Sequence, residues 1–400
     1  MKIVTFLGIR PDLIRMVKLL RLLDKGQKKY GYEHIFVHSG QHFDYQLDGL
    51  FYEEMGIRKP DINLGVGKEL KESGKPTSHA YQTALLYEKT AEMLEKVKPD
   101  LVMYLGDTNT ILSSVVVARY GIPVVHIEGG GRSYDWRMPE EKNRTVIDHL
   151  SDMIYCYLPR YRDILLKEGI PPYRIKDVGN IIVDPINEFD AKAEATDALK
   201  KVGVKSGQYC LSTIHREENT STKAALTEKM RGLIKISKDM PVVLPVMPRV
   251  KAMLQKTGLD KELEKSNVIT TEPLGFLEFM KLEKHAKLIV SDSGTVQEEA
   301  LVFGVPCLIT RLSTERPETM EAGATILDNG DVYAAAQRAL KLDKNWDRNV
   351  LNPYGDGKRS PSEVVFNDLM DKLKTGFFKK SRGYDFVSSD YIVKQAYGKN

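Results

Sequence analysis

Short apolar runs alternate with longer amphipathic segments along most of the chain. The first half contains runs of strand length at Ile3–Leu7, His34–His38, Leu101–Leu105, Val124–Ile127 and Met153–Cys156. Helical patterns separate them, from Pro11 to about Leu23 and from Thr110 to Arg119. Buried strands that are separated by helices are typical of a parallel sheet covered on both faces.

The pattern restarts near Asp177–Asn180. A second series follows at Tyr209–Ile214, Val242–Val246, Val268–Ile269, Lys287–Val290 and Cys307–Ile309. We therefore expect two α/β domains, over residues 1–180 and 181–360. Ser362–Leu373 predicts a late helix, placed at 361–376, and residues 377–400 are expected to be a tail. The charged stretch Lys68–Lys75 is interpreted as a solvated loop.

Length and composition support this division. A chain of 400 residues is too long for a single core, and 42% hydrophobic with 28% charged residues is ordinary for a globular protein. The net charge of +4 is mild and dispersed, which argues against nucleic acid as a partner. No run approaches the roughly 18 apolar residues of a membrane span. We expect a cytoplasmic protein without a membrane partner.

The three cysteines, Cys156, Cys210 and Cys307, are odd in number and far apart. They form neither a disulfide framework nor a metal-binding spacing such as C-x-x-C. We interpret them as core residues.

Ligands of doubly wound sheets bind beyond the carboxyl ends of the strands. Charged residues and glycines concentrate at those points in both halves, at Gly8–Pro11, Gly40–His42, Gly106–Thr108, Glu128–Arg132, His215–Asn219 and Ser291–Gly294. We expect a cleft between two facing domains to bring the two sets together.

The turn Ser293-Gly294 lies where a strand meets the start of a helix over Val296–Phe303. Free N–H groups and the helix dipole make such a turn a phosphate site. Glu299 can accept hydrogen bonds from a ribose diol. The alternative is an ordinary capped helix.

Several other strand ends carry candidate chemistry. Arg10 is placed to clamp a phosphate, unless it is a surface side chain. Asp107 is either a helix cap or a functional carboxylate. Glu128 precedes three glycines, which favours close approach of a ligand. Of Glu140 and Glu141, one can serve only the helix dipole.

His215 ends a strand beside Arg216. It can bind phosphate or protonate a leaving group, or it can be an ordinary loop histidine. Phe276 and Phe279 lie near a helix start, and either can stack on a base or belong to the core.

Taken together, these segments resemble a known family, the non-hydrolysing UDP-N-acetylglucosamine 2-epimerases, over roughly residues 1–375. The matching segments are Gly8–Asp12, His38–Gln41, Gly106–Thr108, His126–Gly130, Pro139–Glu141 with Asn143-Arg144, His215–Glu217, Ser291–Gly294, Glu298-Glu299, Glu315–Glu318 and Asn352–Gly357. The resemblance implies a GT-B-like fold of two Rossmann-type domains, a homodimer, and a final helix that returns to the first domain.

The resemblance also implies roles for individual residues. Asp107, Glu128 and Glu140 match the family's catalytic carboxylates, and His215 its catalytic histidine. The residues implied to bind UDP are Arg10, Arg15, His215, Phe279, Ser293, Gly294, Glu299 and Arg316. Neither a cofactor nor a metal is implied.

This chain departs from the family pattern at several positions. Gly-Thr-Arg-Pro-Glu is Gly-Ile-Arg-Pro-Asp here, Glu-Ala-Gly is Glu128-Gly129-Gly130, and Ser-Gly-Gly is Ser293-Gly294-Thr295. Met247 replaces a histidine that belongs, in some members, to an allosteric UDP-sugar site. Arg58–Asp61, His215–Asn219 and Ser293–Thr295 look more like the branch that forms UDP-N-acetyl-L-fucosamine.

The expected function is C2 epimerisation of a UDP-N-acetylhexosamine for surface polysaccharide synthesis. UDP leaves first, a carboxylate removes the C2 proton to give a 2-acetamidoglucal, and re-addition inverts C2. The alternatives are the L-fucosamine branch, a hydrolysing epimerase, a GT-B glycosyltransferase and a non-catalytic nucleotide-sugar sensor.

Overall fold

The computed structural model describes residues 1–41, 49–342, 353–354 and 358–379. The chain divides into two compact units. Unit 1 comprises the described residues of Met1–Asp184 and Ser360–Asn400, and unit 2 those of Pro185–Arg359. The division therefore follows Asp184, against a predicted boundary near residue 180.

Unit 1 is built on one parallel sheet with helices between its strands. Its elements are β1 (Lys2–Leu7), α1 (Arg10–Tyr30), β2 (Glu33–His38), α2 (Gly49–Met55), β3 (Ile62–Asn63), α3 (Val66–Glu72), α4 (His79–Val97), β4 (Leu101–Leu105), a 3₁₀ turn (Asn109–Ser113), α5 (Ser114–Arg119), β5 (Val124–Ile127), α6 (Pro139–Leu150), β6 (Met153–Cys156), α7 (Pro159–Lys167), a 3₁₀ turn (Pro172–Arg174) and β7 (Ile175–Asp177).

Unit 2 repeats the same plan with a second parallel sheet. Its elements are α8 (Val183–Glu194), which begins at the boundary, α9 (Ala198–Val202), β8 (Cys210–Thr213), α10 (Glu217–Thr220), α11 (Lys223–Ile236), β9 (Val242–Pro245), α12 (Pro248–Thr257), α13 (Leu259–Glu264), β10 (Val268–Thr271), α14 (Phe276–Lys284), β11 (Leu288–Ser291), α15 (Gly294–Phe303), β12 (Cys307–Ile309), α16 (Pro317–Glu321), β13 (Thr325–Leu327) and α17 (Val332–Ala339). In unit 1, α18 (Pro361–Lys374) and α19 (Phe377–Lys379) follow.

Both sheets have the strand order of a Rossmann fold. The order is β3-β2-β1-β4-β5-β6-β7 in unit 1 and β10-β9-β8-β11-β12-β13 in unit 2. In each sheet the order in which strands are added reverses beside the strand that comes first in the sequence, β1 or β8. The predicted α/β class with two Rossmann-type domains is confirmed. No helix in the described part of the chain combines the length and the hydropathy that crossing a membrane requires.

Several predicted element bounds were wrong. Helix α1 continues past Leu23 to Tyr30 and ends where Gly31 adopts a left-handed φ of 69°. Residues 68–72 of the stretch interpreted as a loop belong to α3, which buries Val66 and Leu70. The predicted helix over Thr110–Arg119 is split into a 3₁₀ turn and α5.

The three cysteines are buried on β6, β8 and β12 and are not bonded to one another. Burial raises the pKa of each thiol, which keeps it protonated and unreactive. Their predicted place in the core is confirmed.

Helix α18 packs against α1. Phe366 is 7% exposed, and its ring meets that of Tyr30 edge-on, with 5.8 Å between centroids. A side chain at Gly26 would come within 2.8 Å of the Phe366 ring, so α1 needs a glycine there. Asp368 accepts a hydrogen bond from the Tyr155 hydroxyl at 2.9 Å. Of the predicted tail, residues 377–379 form α19 and the rest lies outside the described residues.

We expect Phe366→Ala to lower the free energy of unfolding by about 3–5 kcal/mol, because it removes a buried ring and leaves a cavity. Tyr81→Ala is the matched control: this ring is 45% exposed, and its loss should change stability by about 0.5 kcal/mol. Urea denaturation of the full chain, with hydrogen exchange of α1 amides, measures both. Equal losses of unfolding free energy in Phe366→Ala and Tyr81→Ala would contradict the packing of α18 on α1.

Candidate functional site

The carboxylates of unit 1 follow the central strands. Asp107 comes after β4 and Gly106, and Glu128 comes directly after β5. Strand β4 lies beside β1, where the strand order reverses. The structure thus places both predicted carboxylates at the position where doubly wound sheets bind ligands.

Arg15, on α1, joins two carboxylates. Its guanidinium donates to Glu128 Oε2 through Nη1 and to Asp12 Oδ1 through Nη2, the latter at 2.9 Å. All three side chains are at most 7% exposed. Arg15 therefore holds Glu128 in place, and the UDP contact that the resemblance implied for Arg15 stays a prediction.

The backbone of Glu128 is strained. Its φ is 77°, in the left-handed region that non-glycine residues rarely adopt. Its N–H donates to the Tyr155 carbonyl at 2.9 Å, and its carboxylate is fixed by Arg15. Such strain persists where the surroundings enforce it, and it concentrates at functional sites.

Arg144, on α6, joins another two carboxylates. It donates to Asp107 Oδ2 and, at 2.5 Å, to Glu141 Oε2. Burial raises the pKa of Glu141, but Arg144 and the N–H groups of Ser133 and Tyr134 outweigh burial, so that the pKa is lowered.

Of the acidic pair that opens α6, Glu141 is therefore the structural member. Glu140 is half-buried and lies one helical turn before Arg144, on the same face. That face is the one that reaches Asp107.

Gly129 explains one departure from the family pattern. A Cβ atom at this position would overlap Ile154 Cγ2 and lie 2.7 Å from Asp148 Oδ1. The alanine that is usual in the family would therefore clash in this chain. Glycine leaves room for a buried pair, His126 and Asp148, whose side chains bond at 2.8 Å.

Arg10 begins α1, and its guanidinium lies 5.0 Å from the centroid of the Phe51 ring. This is a cation–π contact. It keeps the arginine beside the strand-end loop after β1.

In unit 2, Ser293 is the N-cap of α15, which is compatible with both interpretations of this turn, the phosphate site and the ordinary capped helix. Its hydroxyl accepts from the Val296 N–H at 3.4 Å. Gly294 packs on Glu315, since a Cβ would lie 2.8 Å from Glu315 Oε1. Because Gly294 has no side chain, the backbone N–H groups in the first turn of α15 are not covered at that position.

Asp292 organises the loop that carries His215. This fully buried carboxylate accepts from the N–H groups of His215 and Arg216, both at 2.9 Å, and from Asn219 at 3.0 Å. The His215 side chain remains 47% exposed, with Nδ1 3.2 Å from Asp292 Oδ1. The histidine is oriented by Asp292, while its ring stays open to solvent.

Arg316 is 4% exposed and donates through Nε to Glu298 Oε1 at 2.5 Å. Glu298 lies on α15, so this pair fixes Arg316 to the helix that begins with the Ser293 turn. Glu299, the next residue, is 7% exposed.

Glu299 hydrogen-bonds the side chain of Glu283, on α14. Burial raises the pKa of Glu283, and the charge of Glu299 raises it further. The raised pKa favours the protonated form of Glu283, which can donate to the Glu299 carboxylate. Phe279, one turn earlier on α14, is half-buried, whereas Phe276 is buried against Phe189. Phe276 is thus a core residue.

Within the described ranges, no cluster of three or more His, Cys, Asp or Glu side chains is arranged to hold a metal ion. Of the segment Asn352–Gly357, the structure describes Pro353 and Tyr354. The Tyr354 hydroxyl donates to Glu318 Oε1 at 2.7 Å.

Comparison with known proteins gives the family. A family model described as UDP-N-acetylglucosamine 2-epimerase matches residues 24–364. A UDP-N-acetylglucosamine 2-epimerase of Methanococcus maripaludis is 38% identical over 383 residues, which is 93% of this chain and 99% of the relative. The chain belongs to the UDP-N-acetylglucosamine 2-epimerase family. The resemblance stated from the motifs is confirmed, and the chain is an isomerase of this type.

Other members of the family show its breadth. A UDP-2,3-diacetamido-2,3-dideoxy-D-glucuronate 2-epimerase of Pseudomonas aeruginosa is 34% identical over 82% of this chain and 88% of the relative. The crystal structure of a Methanocaldococcus jannaschii UDP-GlcNAc 2-epimerase with UDP-GlcNAc and UDP is 34% identical. It covers 93% of this chain and 100% of its own, with a TM-score of 0.83. The expected GT-B-like class is confirmed.

Sequence reasoning missed the residues that hold the candidate side chains. These are Asp12, Arg144, Asp148, Glu283 and Asp292. Asp12, Arg144 and Asp292 stood inside quoted motifs, next to residues with assigned roles. Their burial was the missing information, because charged residues are almost never fully buried unless they are paired.

Asp12 yields a prediction about pH. Burial raises its pKa from 3.8 to about 6, despite Arg15. Between these values the folded chain keeps a proton that the unfolded chain loses, so stability falls as pH rises from 4 to 6. Asp12→Asn removes this dependence. The unfolding free energy of the unaltered protein should therefore fall relative to that of Asp12→Asn, by up to about 3 kcal/mol between pH 4 and 7.

Glu262→Gln is the control, because the hydrogen bond from Arg231 lowers the pKa of this exposed carboxylate. The stability that Glu262 contributes is therefore gained, not lost, as pH rises, and it is complete above about pH 6. Urea unfolding at pH 4, 5, 6 and 7 should thus show no decline in the stability of the unaltered protein relative to Glu262→Gln. If the difference in unfolding free energy between Asp12→Asn and the unaltered protein is the same at all four pH values, the prediction is contradicted.

Proposed function

We propose that this protein inverts C2 of a UDP-N-acetylhexosamine without net hydrolysis, by elimination and re-addition of UDP. The observation that carries the proposal is the pair of cation-held carboxylates, Asp107 and Glu128, at the switch point of the unit 1 sheet. Family membership and the capped turn of α15 support it.

Elementary chemistry explains why such a site suits this reaction. The C2 proton of an N-acetylhexosamine is not adjacent to a carbonyl, so it is barely acidic. Departure of UDP from C1 leaves an oxocarbenium ion, and the positive charge makes that proton acidic. One carboxylate then removes it to give a 2-acetamidoglucal. Inversion requires a proton to return on the other face as UDP re-adds to C1.

Unit 1 would act on the hexose. Arg15 and Arg144 orient Glu128 and Asp107, whose carboxylates accept hydrogen bonds from the two guanidinium groups. Glu140, on the α6 face that reaches Asp107, is the third acid–base candidate. Carboxylates held on separate strand ends can serve opposite faces of a sugar ring, which inversion requires.

Unit 2 would hold UDP. N–H groups at the start of α15 and the Arg316 guanidinium suit the diphosphate, and Glu299 suits the ribose diol. Phe279, on the same helix as the acid that supports Glu299, suits the uracil. His215 is solvent-exposed and oriented by Asp292, so it can stabilise or protonate the departing phosphate.

We propose two candidate hexoses, in order of preference. UDP-GlcNAc and its C2 epimer UDP-ManNAc are the first substrates, because the relatives from Methanococcus maripaludis and Methanocaldococcus jannaschii are UDP-N-acetylglucosamine 2-epimerases. The relative that epimerises a diacetamido glucuronate shows that the family accepts other sugars. The motifs that look like the L-fucosamine branch make the 6-deoxy-L-talo nucleotide the second candidate. A cytoplasmic homodimer that supplies surface polysaccharide precursors completes the proposal.

Incubation of the purified protein in D₂O tests the chemistry. With UDP-GlcNAc, NMR should show deuterium at C2 and the epimeric UDP-sugar, because the removed proton exchanges with solvent. The 6-deoxy-L-talo and the diacetamido-glucuronate nucleotides follow as parallel substrates. Free UDP with free sugar would favour a hydrolysing epimerase. Unchanged substrate in all arms would overturn the proposal and favour glycosyl transfer.

Two variants should separate the roles of the units. Asp107→Asn should lower kcat by roughly 10²–10⁴-fold while UDP affinity is unchanged, because a general acid–base group is lost. Glu299→Gln should weaken UDP binding about tenfold or more, since a hydrogen bond to a charged group is lost. Calorimetric titration with UDP and the deuterium assay measure the two quantities.

Glu264→Gln, on an exposed turn of α13, is the matched control for the loss of one carboxylate. Its kcat and UDP affinity should equal those of the unaltered protein. Loss of UDP affinity in Asp107→Asn, or normal affinity in Glu299→Gln, would contradict the assignment of roles.

A further inference from the structure

His126 is a buried histidine that the proposed chemistry does not use. It is the third residue of β5, two positions before Glu128, and it is 0% exposed. Its Nδ1 lies 2.8 Å from Asp148 Oδ1, and its Nε2 lies 2.9 Å from the Gly106 carbonyl oxygen. One ring therefore links α6 to the residue that precedes Asp107.

The contacts of Asp148 favour its ionised form. Its Oδ2 accepts from the Gly130 N–H at 3.1 Å and from Arg132 Nη1 at 2.8 Å, while Oδ1 faces His126. Burial raises its pKa, but His126 and Arg132 outweigh burial and lower the pKa. In this form Asp148 has no proton to donate to the ring.

A carbonyl oxygen also only accepts hydrogen bonds, so both neighbours of the ring are acceptors. A neutral imidazole has one N–H and would leave one of these buried contacts without a proton. Both contacts are satisfied only when each ring nitrogen carries a proton. His126 is then a cation inside a charge cluster that also contains Asp148, Arg132 and Glu168. Arg132 Nη2 lies 2.7 Å from Glu168 Oε2. The Cys156 thiol, on β6, also lies near the cluster, and the charges of Asp177 and Arg162 act on that thiol as well.

We propose that His126 is a permanently protonated positioning residue, whose two N–H groups fix the turns that carry Asp107 and Glu128. The Nε2–H bond holds the Gly106 carbonyl, while the Gly106 N–H donates to Ile127 at 3.1 Å. The Nδ1–H bond holds Asp148, which in turn holds the Gly130 N–H behind Glu128. The ring thereby sets the position of both carboxylates without contacting substrate.

The protonation state has a direct test that needs no enzyme activity. The full chain is labelled with ¹⁵N-histidine, and long-range ¹H–¹⁵N spectra are recorded from pH 6 to 9, with His126→Asn identifying the resonance. At pH 8 an ordinary imidazole is neutral. We expect both His126 nitrogens to remain protonated there. A neutral ring at pH 8 would overturn the proposal, whatever the activity of the protein.

Two variants test the positioning role, which rests on the proposed function. His126→Asn leaves an amide that can bond Asp148 but is too short to reach the Gly106 carbonyl. It should lower kcat by roughly 100-fold, because catalytic groups misplaced by about 1 Å lose rate on this scale. UDP affinity should be unchanged, since the proposed UDP residues belong to unit 2.

Asp148→Asn removes the counter-charge but keeps an amide oxygen that can accept from the Gly130 N–H. Its NH₂ group can donate to Nδ1, which allows a neutral His126 that keeps its proton on Nε2. We expect the Gly106 contact and most of kcat to remain, and the His126 spectrum at pH 8 to become that of a neutral ring. The two variants thus differ in kcat although both break the same ion pair, which a purely structural role would not produce.

His149→Gln, on the exposed side of α6, is the matched control and should leave kcat unchanged. Equal kcat losses per folded molecule in His126→Asn and Asp148→Asn would overturn the positioning role. Absence of epimerisation in the unaltered protein would instead overturn the proposed function and leave the NMR result standing.

Discussion

The pairing of buried carboxylates with cations is the interaction on which both candidate sites depend. An ionised side chain that leaves water loses several kcal/mol of solvation, and it tolerates burial only with well-placed partners. In unit 1, Arg15 and Arg144 each hold two carboxylates, and in unit 2 Arg316 holds Glu298. Each cation joins two segments that are distant in sequence, so the pairing also determines how the strand-end loops are arranged.

The fold was largely predictable because parallel strands covered on both faces are continuous apolar runs. Helix bounds were less predictable where tertiary contacts decide them. The end of α1, from Lys25 to Tyr30, is polar and contains Gly26, yet it is helical because Phe366 and Tyr32 occupy the space beside that glycine. Helix α3 was missed because only Val66 and Leu70 of its residues are buried.

The candidate site was predictable to the extent that strand ends mark it. Asp107, Glu128, His215 and Ser293 all lie at the carboxyl end of a strand, as the topology rule for doubly wound sheets requires. Their partners were not predictable, because no local pattern joins Arg15 to Glu128, which are 113 positions apart. The structure shows which charged side chains are buried and which partners compensate for their lost solvation.

The left-handed backbone of Glu128 has an evolutionary consequence. A side chain in this conformation costs on the order of 1–3 kcal/mol, and glycine would relieve it. A single nucleotide change converts glutamate to glycine, but that change would leave the buried Arg15 guanidinium without one of its two carboxylates, and this loss exceeds the strain that is relieved. The left-handed backbone and the Arg15 pairing are therefore expected to be kept or lost together. A descendant in which an apolar residue replaces Arg15 would be expected to gain a third consecutive glycine ahead of Gly131.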